Sequence, residues 1–300
     1  MKKVLLWGMG KGFVQYRYII KYFEMLEKFS VVGVTSNTTV YEEFYGYKYI
    51  RKNNINNVEF NYIVVMEEGE VYKEILKEAI SLGIAEENIF HYKVLSIPNF
   101  DIDKYSNLKR NIPSIFSNNC WGGYTYHSLG LEFTSPLINM FESTVDYLKL
   151  LKNIKKYMNE ELELISTEYQ GGSGYYPVVK CGDITLHFNH YHSFEDAKLC
   201  WERRKRRINW DNIFVMMYTE DIDLANEFIK LPYKRKVCFV PFNSDEKELI
   251  YIEFRNKGDM INVPFWKIVN GMALGIYPYY DILDLLGEGK FTKLDEYRTF

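Results

Sequence analysis

The first apolar run, Lys3 to Trp7, ends in the turn Gly8-Met9-Gly10-Lys11-Gly12, and from Val14 to Phe29 apolar residues recur at helical spacing (Val14, Tyr18, Ile19, Tyr22, Phe23, Leu26). The pattern predicts a strand, a glycine turn and a helix. Val31 to Val34 and Tyr62 to Met66 supply a second and a third strand, and Val71 to Leu82 a helix that Gly83 ends. Strands alternating with helices call for a parallel sheet with right-handed crossovers, here a Rossmann-like domain over residues 1–100. Between Pro98 and Pro113 the periodicity lapses, which puts the domain boundary there.

The alternation resumes over residues 105–300, a second layered α/β domain. A strand is expected near Ile112 to Phe116, a helix from about Tyr124, a strand at Leu137 to Phe141 and a helix over Val145 to Met158. Two extended runs around Cys181-Gly182 read as a hairpin. Ile213 to Tyr218, Leu224 to Ile229 and Val237 to Phe242 form one more strand-helix-strand unit.

Composition narrows the function classes. With 37 basic and 40 acidic side chains the net charge is -3, so no whole-protein field gathers nucleic acid. No apolar run approaches the roughly 20 residues that span a bilayer, and the N-terminal one stops at Gly8, too early for a signal peptide. A cytoplasmic location is therefore expected. Cys120, Cys181, Cys200 and Cys238 form no C-x-x-C pair, which speaks against a zinc ribbon or a disulfide framework. The 26 Tyr and 20 Phe suggest sugar-stacking platforms, but joint enrichment in Tyr, Asn, Ile and Lys points instead to a biased codon pool.

Candidate chemistry gathers in three stretches. Gly8, Gly10 and Gly12 sit where a phosphate-binding turn would, ahead of a helix N-terminus. Phe13 replaces the third fingerprint glycine and no acidic residue follows the second strand, so a nicotinamide cofactor is disfavoured and the cofactor stays unknown. The turn then either holds a nucleotide or merely links strand to helix. In Ser117-Asn118-Asn119-Cys120-Trp121-Gly122-Gly123, Cys120 precedes a helix whose partial charge favours a thiolate, with His127 on its first turns as a base. The two glycines expose amides suited to an anion. The alternative is a packed thiol in a turn shaped by asparagines.

His187, His190 and His192 follow one another at the end of a strand, but lack a fourth ligand at metal spacing, so no metal site is assigned. Ser193 and Asp196 form a capping box. The helix register this sets places Phe194, Ala197, Trp201 and Ile208 on one stripe with Arg204 beside it, while Arg203 and Arg206 point away. A buried Arg204 would require an anionic partner.

Three motifs, S-N-N-C-W-G-G from Ser117 with Leu129-Gly130-Leu131 and Ser135-Pro136 after it, H-F-x-H-Y-x-S-F-E from His187, and W-x-x-R-x-x-R-I-N from Trp201, carry a resemblance over about 190 residues. The second half resembles a bacterial family of unknown function whose members are often labelled exopolysaccharide or capsular polysaccharide biosynthesis proteins. The resemblance implies a gene setting in surface-polysaccharide synthesis, with no settled activity, and adds Arg207 to the residues of interest. The expected activity is a transferase using a nucleotide sugar or activated acyl donor on a glycan precursor. Cys120 would be the nucleophile and His127 or His187 the base, with His190 as a further catalytic candidate. Asn118, Asn119, Trp121, Gly122 and Gly123 would hold the transferred group, and Arg204 and Arg207 the donor phosphate. A non-catalytic nucleotide-sugar or glycan-binding protein and a metal-dependent hydrolase on the three histidines are the alternatives.

Overall fold

The computed structural model describes residues 1–37 and 42–294. The chain separates after Arg110 into two compact units.

In the first unit, β1 (Lys3–Trp7), α1 (Lys11–Met25) and β2 (Ser30–Thr35) are followed by a two-residue hairpin, β3 (Glu43–Phe44) and β4 (Tyr47–Lys48). Then come β5 (Tyr62–Val65), α2 (Gly69–Ser81), β6 (Ile89–His91) and α3 (Ile102–Arg110). The sheet is parallel, in the order β2-β1-β5-β6. Strand β1 is central and buried on both faces, which is why it reads as continuous apolar sequence rather than as an alternation. Leu5, Trp7, Ile63, Val65, Ile75 and Ala79 form the core against α2.

Two expectations need correction here. Helix α1 begins at Lys11 and buries Phe13, Ile20 and Phe23, whereas Val14 and Tyr18 of the expected stripe face solvent. Tyr is apolar enough to enter a periodicity count and polar enough to sit outside. The supposedly aperiodic stretch holds α3, capped by Asp101 Oδ1, which accepts from the amides of Asp103 and Lys104 at 3.0 Å, and anchored by Ile102, Tyr105 and Leu108. Nine residues are too few for a helical period to stand out.

The second unit opens with β7 (Ser114–Ser117), α4 (Trp121–Ser128), α5 (Thr144–Lys152) and α6 (Ile154–Asn159). An antiparallel sheet of β8 (Leu162–Tyr169), β9 (Tyr175–Cys181) and β10 (Ile184–His187) follows, and the β9–β10 hairpin turns at Gly182 as expected. The chain continues through α7 (Phe194–Lys205), β11 (Ile213–Tyr218), α8 (Ile222–Ile229), β12 (Lys236–Val240) and β13 (Leu249–Tyr251) to α9 (Phe265–Ala273) and α10 (Ile282–Glu288). Strands β13-β12-β11-β7 make a second parallel sheet. Tyr147 of α5 locks the layers: its buried hydroxyl reaches the carbonyl oxygens of Phe116 at 2.7 Å and Met216 at 2.8 Å.

The expected strand at Leu137 to Phe141 is a buried loop with Asn139 at φ 61°, joined to β10 only through Phe141 and His187. Its carbonyls are met by side chains instead, Ile138 accepting from Tyr191 at 3.0 Å and from Arg204 at 3.4 Å. The expected helix Val145 to Met158 breaks at Asn153, whose side chain accepts from the Lys156 amide and starts α6. Among the described residues no helix is long and apolar enough to cross a membrane.

Candidate functional site

The carboxyl end of a parallel strand is where the backbone must leave the ladder, and in the second unit Asn118 manages that exit. One step beyond the last β7–β11 pair, its side-chain amide donates to the Tyr218 carbonyl at 3.0 Å and its Oδ1 accepts from the Tyr218 amide at 3.1 Å. A side chain thus continues the ladder while the main chain turns away. Asn119 then caps the turn, its Oδ1 accepting from the Trp121 amide at 3.0 Å. Ser117 Oγ donates to the Asn119 carbonyl and accepts from the Gly122 amide at 3.1 Å.

These contacts redefine the loop. The Gly122 amide is used internally rather than offered to an anion, and a Cβ at Gly122 would sit 2.8 Å from Ser117 Oγ, so the glycine serves close packing of α4 on β7. Trp121 is fully buried, stacked on Phe214 and donating to the Tyr280 hydroxyl at 2.9 Å. Gly123 faces Ile138 at ordinary contact distance.

Above this loop lies a cavity of about 500 Å³, within the usual range for small-molecule sites. Its walls carry six aromatic rings, from Tyr124, Phe141, Tyr169, Tyr176, Tyr218 and Trp266. Between them stand Asn119, Gln170, Asn189 and Asn270, together with Cys120 and His190; no lysine or arginine is among the lining residues. The lining converges from the ends of β7 and β11, from Tyr124 on α4, from Phe141 in the loop before α5, from the β8–β9 hairpin, from the segment after β10, and from one face of α9 where Trp266 and Asn270 are a helical turn apart. Asn119 Nδ2, Asn189 Oδ1 and Asn270 Oδ1 are buried without hydrogen-bond partners. Behind the wall, Glu142 is 4% exposed with neither carboxyl oxygen partnered. Burial, reinforced by Asp146, raises its carboxyl well above the usual range, so at neutral pH it holds its proton.

The cavity gathers only some of the expected residues. Asn119, Cys120 and His190 line it. Cys120 is the N-cap of α4, but burial and the neighbouring Glu142 push its thiol up to about 12, the reverse of the activation expected from the helix end. Desolvation outweighs the helix field because a thiolate here has no cationic partner. His127 is on the last turn of α4, exposed and away from Cys120, so it is no base for that thiol. His187 stacks on Phe141 with ring centroids 4.6 Å apart, and its Nδ1 lies 3.6 Å from Glu168 Oε2, beyond hydrogen-bond reach. Partial burial pushes the His190 imidazole down. His192 is exposed outside the cavity. Among the described residues no three His, Cys, Asp or Glu side chains converge on a metal position.

The arginine expectations divide. Arg204 is buried beside Ala197 and Trp201, as the helical register required, yet its partners are neutral: the Tyr191 hydroxyl, the Ile138 carbonyl and the face of Phe133. Its Nε has no partner. Arg207 is exposed and pairs with Glu132 at 3.1 Å. Neither guanidinium lines the cavity.

In the first unit the glycine turn is filled from within. Gly8 adopts φ 114° and a Cβ there would meet Glu67 Cγ at 2.6 Å, while the Gly10 amide donates to Glu67 Oε1 at 3.1 Å. A Cβ at Gly12 would lie 2.4 Å from the Met66 carbonyl oxygen. A protein carboxylate thus occupies the helix N-terminus, the position that a phosphate would take in the nucleotide alternative for this turn.

The family of unknown function DUF1919 matches residues 91–285, more than half of the chain. This chain belongs to the DUF1919 family. An N-terminal domain described as C2185-like matches residues 1–90. An uncharacterised protein of Haemophilus influenzae (strain ATCC 51907 / DSM 11121 / KW20 / Rd) is 34% identical over 180 residues, covering 57% of this chain and 81% of that relative. All the cavity residues fall within the DUF1919 match. Those that sequence reasoning missed, chiefly Phe141, Tyr169, Tyr176, Tyr218, Trp266 and Asn270, share no motif spacing with one another or with Glu142 behind them. The signal available was the aromatic richness, set aside as codon bias.

Proposed function

We propose that the second unit binds a sugar or surface-polysaccharide precursor in the aromatic-walled cavity. The observation that carries this reading is the combination of six ring faces with three buried, unpartnered amide atoms and no cationic lining. Ring faces pack against the C–H surfaces of a saccharide, whose several hydroxyls can donate to Asn189 and Asn270 Oδ1 and accept from Asn119 Nδ2. A buried amide left unpartnered costs on the order of 1–3 kcal/mol, which a hydroxyl-bearing ligand relieves. The position at the carboxyl ends of β7 and β11 is the usual one for a site on a parallel sheet. The polysaccharide-biosynthesis resemblance of the three motifs agrees with it. A glycan array followed by titration tests the reading: Trp266→Ala and Asn270→Ala should each abolish a saccharide signal that the wild type gives, and a wild type silent across the array refutes it.

A transferase acting on the same precursor is a second reading, favoured by Glu142. A carboxyl kept protonated beside Cys120 and Tyr218 is suited to general-acid work. In this reading Cys120 is not the nucleophile, and Cys120→Ala retains turnover while Glu142→Gln loses it. The engaged Gly10 amide gives no support to a nucleotide on the first unit, and the separation of His187, His190 and His192 gives none to a metal-dependent hydrolase.

A further inference from the structure

We infer that the ligand of this cavity carries a positively charged amine, so that the saccharide is an amino sugar with its ammonium free rather than acylated or phosphorylated. The inference rests on the saccharide reading above and adds its charge. Among the unpartnered buried side-chain atoms of the lining residues two are acceptors, Asn189 Oδ1 and Asn270 Oδ1, against the one donor Asn119 Nδ2. Such a surplus calls for a ligand rich in donors, and an ammonium brings three donors with no acceptor.

The rings give the second argument. Aromatic faces attract a cation through their quadrupole, and a desolvated cage of them is the common answer to an organic ammonium. The charged groups around the cavity point the same way. Glu168 accepts from the Tyr176 hydroxyl, and Glu220 adds to burial in raising the Tyr218 hydroxyl. The nearby cations are spoken for: Arg204 is held by Tyr191 and Phe133, and Arg255 lies 3.7 Å from Glu220. Burial pushes the His190 imidazole down, and Lys267, 5.4 Å from the Trp266 ring centroid, is not among the lining residues, so no cation lines the cavity at neutral pH. A phosphate or a uronate would meet this field uncompensated.

Calorimetric titration of the full chain decides the matter. The probes are glucosamine, galactosamine and mannosamine, their N-acetyl and 6-phosphate counterparts, and choline as a cation that is not a sugar. At least one free amino sugar should bind, with its N-acetyl and phosphorylated forms about tenfold or more weaker. Equal or tighter binding of the N-acetyl sugar overturns the amine and leaves the saccharide reading standing. Choline binding with every sugar silent overturns the saccharide and keeps the cation, and silence of all the probes overturns both.

Discussion

Glu142 offers the sharpest stability test in the molecule. Its carboxyl is buried, neither oxygen is partnered, and its proton is held well above the ordinary carboxyl range by desolvation first and Asp146 second. In the unfolded chain the same group ionises near its usual 4.5. Between that value and its raised folded value, the folded state binds a proton that the unfolded state has released. Folding stability contributed by this residue therefore falls as pH rises through the window, by up to about 1.4 kcal/mol per pH unit for one proton. Below the unfolded value both states are protonated and the residue costs nothing extra. Glu142→Gln reproduces the protonated shape without the titration. The variant should match the wild type near pH 4 and exceed it at pH 7 by about 1–3 kcal/mol, the order seen for unpaired buried polar groups. Denaturant unfolding of both proteins across this range gives the difference directly. A difference that stays flat with pH would mean that Glu142 is ionised in the fold, with a counter-charge beside it, and the general-acid reading would fall with it.

Three further outcomes follow from the same geometry. Gly122→Ala should destabilise by about 1–3 kcal/mol through overpacking against Ser117 and Ile115, outweighing the roughly 1 kcal/mol gained in helix propensity; thermal unfolding that rises instead would refute the close-packing argument. Asn118→Ala removes both side-chain bonds to the Tyr218 backbone and should cost about 1–3 kcal/mol, with hydrogen exchange at the Tyr218 amide accelerated; an unchanged rate there would deny the ladder extension. Alkylation of the native protein at pH 8, read by mass spectrometry, should modify Cys200 first and spare Cys120, Cys181 and Cys238, whereas rapid labelling of Cys120 would restore the nucleophile that its raised thiol disfavours.

Local rules and short-range periodicity made much of the architecture legible in the sequence. Continuous apolar strands announced β1, β2, β5, β11 and β12 because strands buried on both faces need no alternation. The Ser193 cap fixed the register of α7 well enough to bury Arg204 and expose Arg203, since a cap and a 3.6-residue period are properties of neighbouring residues alone. Tertiary packing decided the rest. The buried Leu137 to Phe141 run became a loop because Tyr191 and Arg204, more than fifty residues further on, satisfy its carbonyl at Ile138. Arg204 took neutral partners because the ring of Phe133 and that same carbonyl reached it first. Cys120 lost its expected reactivity to desolvation, which depends on what covers a residue rather than on what precedes it. The cavity draws on Asn119, Tyr169, Tyr218 and Asn270, segments separated by dozens of residues, and no spacing rule joins them. Only the packing of α9 and the β8–β9 hairpin about the ends of β7 and β11 brings their side chains to one place.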